Sequence, residues 1–413
     1  MQDTIIIGGG LAGLSAALHL HRAGRSFTLL EAADRCGGRV QTDPHAGYLL
    51  DHGFQVMLTA YPECRALLDY EALDLKKFPP GAVLLQADGS RDRIGDPLRD
   101  LSSLFPTLTA SVGGVADKLR ILKLKTGLSG KDIDAIFRQK EKTTEAALRE
   151  DYGFGNPMIE RFFRPFFAGI FLERQLGTSR RMFDFVFKMF GEGYAAVPAG
   201  GMAEIPAQLV ARLPAGSVKT GVRVGGIEGQ TVITADGNRH EAKNILLATA
   251  APDLVSQYRK DTHTEGNGTL HVHFSADKAP LKDGSIALNT LPDPLVNNIC
   301  VISHNAPAYA PPGKHLISAS VIGTREETAD LPQRIKAEMK KWFGAQTDDW
   351  QHLHTRRIDY GLPDQTSVEH TWSAAGARLR PGLFYCGDLA LNGSQNAALR
   401  SGRIVAEGIL GQP

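Results

Sequence analysis

Gly8, Gly10 and Gly13 stand at the spacing G-x-G-x-x-G, and Glu31 follows 23 residues after the first of them. Residues so placed can hold a dinucleotide. Gly8 permits a tight turn, Gly10 lets the backbone approach a pyrophosphate, and Gly13 lets the next helix pack closely on its strand. Leu11 and Ala12, inside the loop, belong to the same candidate site. Glu31, with Ala32 beside it, is placed to accept hydrogen bonds from an adenosine ribose.

Such a loop works only if regular elements position it. Thr4-Ile5-Ile6-Ile7 is a β-branched run that reads as a buried strand. Residues 14–23 carry Leu14, Ala17, Leu18 and Leu20 near helical spacing, and Gly24 stops the helix. Phe27 to Leu30 reads as a second strand ending at the acid. The helix N-terminus supplies free N–H groups and a positive dipole to a phosphate. Glycines at this spacing are common, and the strand–loop–helix–strand–acid context is what makes these informative.

Two more segments extend the pattern. Gly37-Gly38-Arg39 indicates another close backbone approach to an anionic ligand. Gly47 to Gln55, containing Asp51, His52 and Gly53, reads as a strand followed by a glycine turn. A nicotinamide-binding domain does not need these additions.

In these features the sequence resembles the flavin amine oxidase superfamily, which includes amine oxidases, protoporphyrinogen oxidases and phytoene or carotene desaturases. The resemblance implies FAD as cofactor. It also implies an α/β fold: a Rossmann-type FAD/NAD(P)-binding domain with a discontinuous α+β substrate-binding domain. It places Arg39 near the phosphates or the flavin edge. The 381–388 segment looks like the family's last FAD strand, with Gly387-Asp388 meeting the ribityl or phosphate part. Residues 393–402 look like the following helix start, where Gln395, Asn396 and Ala397 would face the flavin ring. Gly200-Gly201-Met202 resembles the turn that re-enters the cofactor domain, and Val224 the residue whose backbone meets the adenine.

The implied cofactor domain comprises 1–55, 197–252 and 372–413; the substrate domain comprises 56–196 and 253–371. Residues 85–150 read mainly as helix. Residues 269–275 and 316–322 read as strands. Half of the 18 phenylalanines fall between Phe162 and Phe190, and these serve as core for the most part or as the lining of a wide apolar pocket.

Flavoenzymes of this group pass a hydride to flavin N5, so a protein acid or base is not obligatory. Amine oxidases carry a lysine near N5; Leu270 and His271 stand there in this chain. They also carry an aromatic cage residue where Ser394 falls, and Ser394 instead resembles the serine of carotene desaturases. Tyr360-Gly361-Leu362-Pro363 resembles a turn of desaturases and porphyrinogen oxidases, whereas Asn396 departs from the usual glutamate. The reading is an FAD-dependent oxidoreductase acting on a bulky, lipophilic, isoprenoid- or carotenoid-like small molecule, with oxygen or a quinone as electron acceptor. Catalytic candidates are Gln55, His52 and Tyr360. The alternatives are an amine oxidase with an atypical site and a non-catalytic binding protein of the escort-protein type.

The remaining signals narrow the class. A net charge of +1 lacks the basic footprint of a nucleic-acid binder. Four scattered cysteines form no CxxC pair and fit a reducing cytosol. Nothing before Thr4 has the length of a signal peptide, and no apolar run of transmembrane length occurs, so a cytoplasmic location is expected. No metal site is expected. His271 and His273 lack a third ligand, and Asn244 occupies the second histidine position of a would-be HExxH beginning at His240. Residues 115–125 place Val115, Leu119 and Leu122 on one helical face among Lys118, Arg120, Lys123 and Lys125. Such a helix either packs its apolar stripe inward or rests on an anionic membrane, in peripheral contact.

Overall fold

The computed structural model describes residues 2–95, 112–259, 266–368 and 372–411. Two sheets dominate. The first is parallel at its centre. Val218–Lys219, Phe27–Leu30, Gln2–Ile7, the end of Arg239–Leu247 and Leu383–Tyr385 lie side by side in that order. Ile7 pairs with Leu247, which pairs with Tyr385, so strands from the start, middle and end of the chain are neighbours. Ile5, Ile6, Ile245 and Leu246 are wholly buried, as expected where helices cover both faces of a parallel sheet. Val224–Glu228 and Thr231–Thr234 extend the first half of Arg239–Leu247 as an antiparallel hairpin.

The Leu11–Arg22 helix packs against the final Gln395–Leu410 helix. Their approach requires Gly402, since a Cβ there would lie 2.1 Å from the Ala12 carbonyl oxygen. Ser15 Oγ donates to the Leu399 carbonyl at 2.7 Å and fixes the register of the pair. The two ends of the chain thus form one layer.

The second sheet has seven strands, in the order Gln351–Pro363, Gly266–Ala276, His315–Ile322, Asn298–Val301, Ile286–Asn289, Gly81–Leu85 and Arg91–Gly95. Alternation along Gly266–Ala276 decides its two faces. Leu270, Val272 and Phe274 join Leu331, Ile335 and Met339 of the Leu331–Phe343 helix in one apolar core. Thr269, His271, His273 and Ser275 point the other way.

Three sequence expectations need correction or refinement. Residues 85–95 are not helical: Gly81–Leu85 and Arg91–Gly95 form a hairpin, turned at Asp88-Gly89 with Gly89 at φ +88°. Residues 96–111 lie outside the described residues. The helix beyond, Val115–Ser129, does not pack its Val115–Leu119–Leu122 stripe inward; it buries the opposite side, at Asp117, Leu124 and Leu128. The phenylalanines divide: Phe163, Phe167, Phe171, Phe183 and Phe185 are core, whereas Phe162, Phe166, Phe187 and Phe190 line a cavity.

Candidate active site

A cavity of about 1170 Å³ runs from the Gly8–Gly13 loop to these four phenylalanines. Most sequence-predicted residues meet on its wall: Gly8, Gly10, Leu11, Ala12, Glu31, Gly37, Gly38, Arg39, His52, Gln55, Tyr360, Gly387, Asp388 and Gln395. Gly13, Ala32, Val224, Asn396 and Ala397 are not on it. Gly13 sits beneath the loop, where a Cβ would come within 2.0 Å of the Gly8 carbonyl oxygen. Val224 is paired with Thr234 in the antiparallel hairpin. Asn396 is turned away from Gln395 by the helical rotation, and its Oδ1 accepts from Glu63 N at 3.0 Å. The Ala397 N–H donates to the Ser394 side chain, which caps the helix at 3.0 Å.

The loop combines tight packing at Gly8 with open space at Gly10. Gly8 adopts φ +110°, and a Cβ there would strike the Ala248 carbonyl oxygen at 2.5 Å. Gly10 has open space, with no atom within 4 Å of its would-be Cβ. Glu31 accepts from Gly9 N at 2.6 Å and from Ala33 N at 2.8 Å. Each carboxylate oxygen therefore keeps a lone pair for a sugar hydroxyl.

The motifs from the two chain ends meet directly. Arg39 donates to Asp388 Oδ2 at 2.7 Å and to the Gly361 carbonyl at 3.0 Å. Asp388 is almost fully buried, so this pairing offsets its lost hydration. The Arg39 guanidinium also lies 5.5 Å from the centre of the Tyr360 ring. Burial pushes the Tyr360 phenol up to about 12, so it stays protonated at neutral pH. Its hydroxyl and Gln395 Oε1 are buried without a partner among the described residues, although both residues line the cavity. Native proteins rarely leave such atoms unmatched. Open space above Gly10 together with orphaned polar atoms in the same cavity fits an FAD held between the loop and the final helix.

His52 Nε2 lies 2.8 Å from Asp43 Oδ2. Burial, joined by the Arg356 and Arg35 guanidiniums and opposed by Asp43, lowers the histidine pKa, so the ring is neutral at pH 7. Burial alone would raise the Asp43 pKa, but hydrogen bonds from Arg35 and His52 outweigh it and bring the carboxyl to about 2. Gln55 is already committed. Its amide nitrogen donates to the Arg39 and His52 carbonyls at 2.7 and 2.8 Å, holding the turn.

Sequence reasoning missed Arg356, which lines the cavity and donates to Asp43. Period-two alternation from Tyr360 along Gln351–Pro363 reaches Ile358 and Arg356 and could have found both. It also missed Thr269, which faces the cavity where Leu270 does not. Asp51 proves to be an anchor: its carboxylate accepts from Thr42 Oγ1, from Met202 N at 3.1 Å and from the Tyr309 hydroxyl at 2.9 Å. It thereby ties the glycine turn to the Gly200-Gly201-Met202 segment. His271 and His273 are both buried, their rings 4.5 Å apart, and His271 Nε2 lies 2.9 Å from Ser318 Oγ.

The sequence profile of the flavin-containing amine oxidoreductase family matches residues 11–410. A putrescine oxidase of Kocuria rosea is 38% identical over 129 residues, which is 31% of this chain and 25% of that protein. A chloroplastic/mitochondrial protoporphyrinogen oxidase 2 of Arabidopsis thaliana is 30% identical over 168 residues, 40% of this chain and 31% of that protein. The chain thus spans less than a third of either relative's length. The crystal structure of an oxidoreductase from Methanosarcina mazei shares the fold, with a TM-score of 0.74 and 18% identity over 98% of this chain and 100% of that one. The chain therefore belongs to the flavin-containing amine oxidoreductase family.

Proposed function

We propose that the enzyme removes a hydride from a C–H bond of a bulky, lipophilic substrate, isoprenoid-like or comparably ring-bearing. The observation that carries this reading is the chamber continuous with the cofactor groove. Phe162, Phe166, Phe187, Phe190, Ile170 and Leu172 line it. Such a wall favours an apolar guest through the area it removes from water.

FAD supplies the hydride acceptor. The chain's own groups bind, orient and handle the proton. The loop at Gly8–Gly13, Glu31 and the Arg39–Asp388 pair would hold the cofactor. The N-terminus of Gln395–Leu410, whose first residue lines the cavity, favours negative charge nearby through the helix dipole. Desaturation removes a hydride from one carbon and a proton from its neighbour, leaving a double bond. Neutral His52 can take that proton, because its bond to Asp43 makes Nε2 the donor and leaves Nδ1 as acceptor. Oxygen or a quinone would then reoxidise the flavin.

Amine oxidation is the second reading, favoured by the putrescine oxidase match. Against it, an aromatic cage requires two rings, and the second position holds Ser394. The cavity's lysines, Lys118 and Lys125, both come from the Val115–Ser129 helix rather than from Gly266–Ala276.

An anaerobic panel separates the readings. A detergent-dispersed carotene or porphyrinogen should bleach the flavin absorbance near about 450 nm. Rapid bleaching by diamines, with none by the lipophilic compounds, would reverse the assignment.

A further inference from the structure

Arg39, Arg356 and Arg357 stand on the wall of the cavity. Two of them have acids of their own. Arg39 is bonded to Asp388 at 2.7 Å, and Arg357 to Glu327 at 2.8 Å and to Asp359 at 2.6 Å. Among the described residues Arg356 has no acid to itself. It reaches Asp43, a carboxylate that Arg35 also holds and that lies 2.8 Å from His52 Nε2. Two guanidiniums therefore share one carboxylate. With His52 neutral, the cluster carries one positive charge in excess.

The Arg356 guanidinium is also only partly used. Such a group has five N–H donors and no acceptor. Among the described residues Arg356 donates to Asp43 alone, and its Nε is buried without a partner. The side chain keeps 25% of its surface open. Neighbouring histidines register the excess charge. Burial and then Arg356 lower the pKa of His271 and of His354, and at His354 the opposing pull of Asp43 is the weaker. Arg356 also stands apart from the residues that would hold the cofactor pyrophosphate. It lies four residues from Tyr360 on Gln351–Pro363, about 13 Å along an extended strand, whereas Tyr360 is the residue beside Arg39. A planar fork with one net positive charge matches a single carboxylate, which accepts two parallel N–H bonds. A diphosphate would call for more positive charge than the cluster supplies.

We propose that Arg356 seats a carboxylate of the substrate, which is then an amphipathic acid rather than a neutral hydrocarbon. Its apolar body would lie among the phenylalanines of the chamber and its charged end on Arg356. This names a substrate class within the lipophilic reading and rests on that reading for the body of the molecule. His52 and Arg356 bond the same oxygen of Asp43. A carboxylate on Arg356 thus brings the carbons next to it toward the base, and the C–H bonds broken would be those near the acid end.

The test titrates the flavin-loaded protein with farnesoic acid and with methyl farnesoate, an isoprenoid acid and its uncharged ester. Perturbation of the flavin bands gives each Kd. The acid should bind at least about tenfold more tightly than the ester, the factor of one hydrogen bond between charged groups. Arg356→Gln should erase that difference by weakening the acid and leaving the ester as it was. Arg356→Lys should retain part of it. Asp43 keeps Arg35 and His52 as partners in both variants, so FAD affinity should stand. Equal binding of acid and ester by the wild type would overturn the proposal and leave the lipophilic reading in place. An acid preference that survives Arg356→Gln would also overturn it. So would loss of FAD affinity in that variant, which would assign the charge to the cofactor. Acetate that binds as tightly as farnesoic acid, and only while Arg356 is present, would keep the carboxylate site and remove the lipophilic reading alone. Silence from every probe would remove both.

Discussion

Replacing Gly10 by valine separates cofactor binding from folding. Gly10 is the N-cap of Leu11–Arg22, at φ −72° and ψ 176°, a conformation open to any L-residue. Its would-be Cβ meets no atom within 4 Å. The apoprotein should therefore lose about 1 kcal/mol or less, the usual scale of an N-cap change, and its Tm should fall by only a few degrees. The added methyl groups occupy the space left for the pyrophosphate. Losing two hydrogen bonds to a charged group, at about 1.5–3 kcal/mol each, weakens FAD binding by about a hundredfold or more. Gly13→Val should behave in the opposite way. With its Cβ 2.0 Å from the Gly8 carbonyl oxygen, the helix must move off its strand, so stability falls by about 3 kcal/mol or more. Thermal melts of the apoproteins read the first quantity, and flavin titration by fluorescence quenching reads the second. Wild-type FAD affinity in Gly10→Val would refute the placement of the cofactor. So would an apoprotein as damaged as Gly13→Val.

Other perturbations probe the anchor, the buried histidine and the chamber. Asp51→Ala leaves the Thr42, Met202 and Tyr309 donors buried without their acceptor, and should cost about 3 kcal/mol or more by denaturant unfolding; Asp51→Asn, which keeps one acceptor oxygen, should cost less. Burial lowers the His271 pKa from 6.5 to about 3. The unfolded chain then binds a proton that the folded chain refuses, so stability should fall as pH drops below the unfolded value and continue to fall toward the folded one. At pH 5 this amounts to about 2 kcal/mol, and unfolding of His271→Gln should show a correspondingly flatter pH profile. Phe162→Ala with Phe166→Ala should raise KM for an apolar substrate and leave the flavin spectrum unchanged; an unaltered KM in steady-state assays would take the substrate out of that chamber.

The cofactor side of the molecule was legible because phosphate-binding loops depend on local backbone chemistry. Gly8, Gly10, Glu31 and Gly38 reach the cavity from spacing alone. The Arg39–Asp388 contact spans 349 residues, so only the family resemblance could hint at it. The Asp88-Gly89 turn was a readable hairpin signal, outweighed by the helical character of the residues that come after it in the chain. Arg356 was hidden because an arginine on a strand reads as solvated surface until the neighbouring sheet is known. The outward stripe at Val115, Leu119 and Leu122 was visible as a pattern, but which side of the helix meets the core is decided by Leu124 and Leu128, a tertiary choice. Val224, opposite Thr234 in the hairpin and off the cavity wall, stays an expectation of the family pattern.

The most direct test is the visible spectrum and flavin content of the purified protein. A groove formed by Gly10, Glu31, Arg39, Asp388 and Gln395 from opposite ends of the chain predicts about one FAD per chain, with oxidised-flavin bands near about 370 and 450 nm. A colourless protein that also refuses added FAD would contradict the account at its centre.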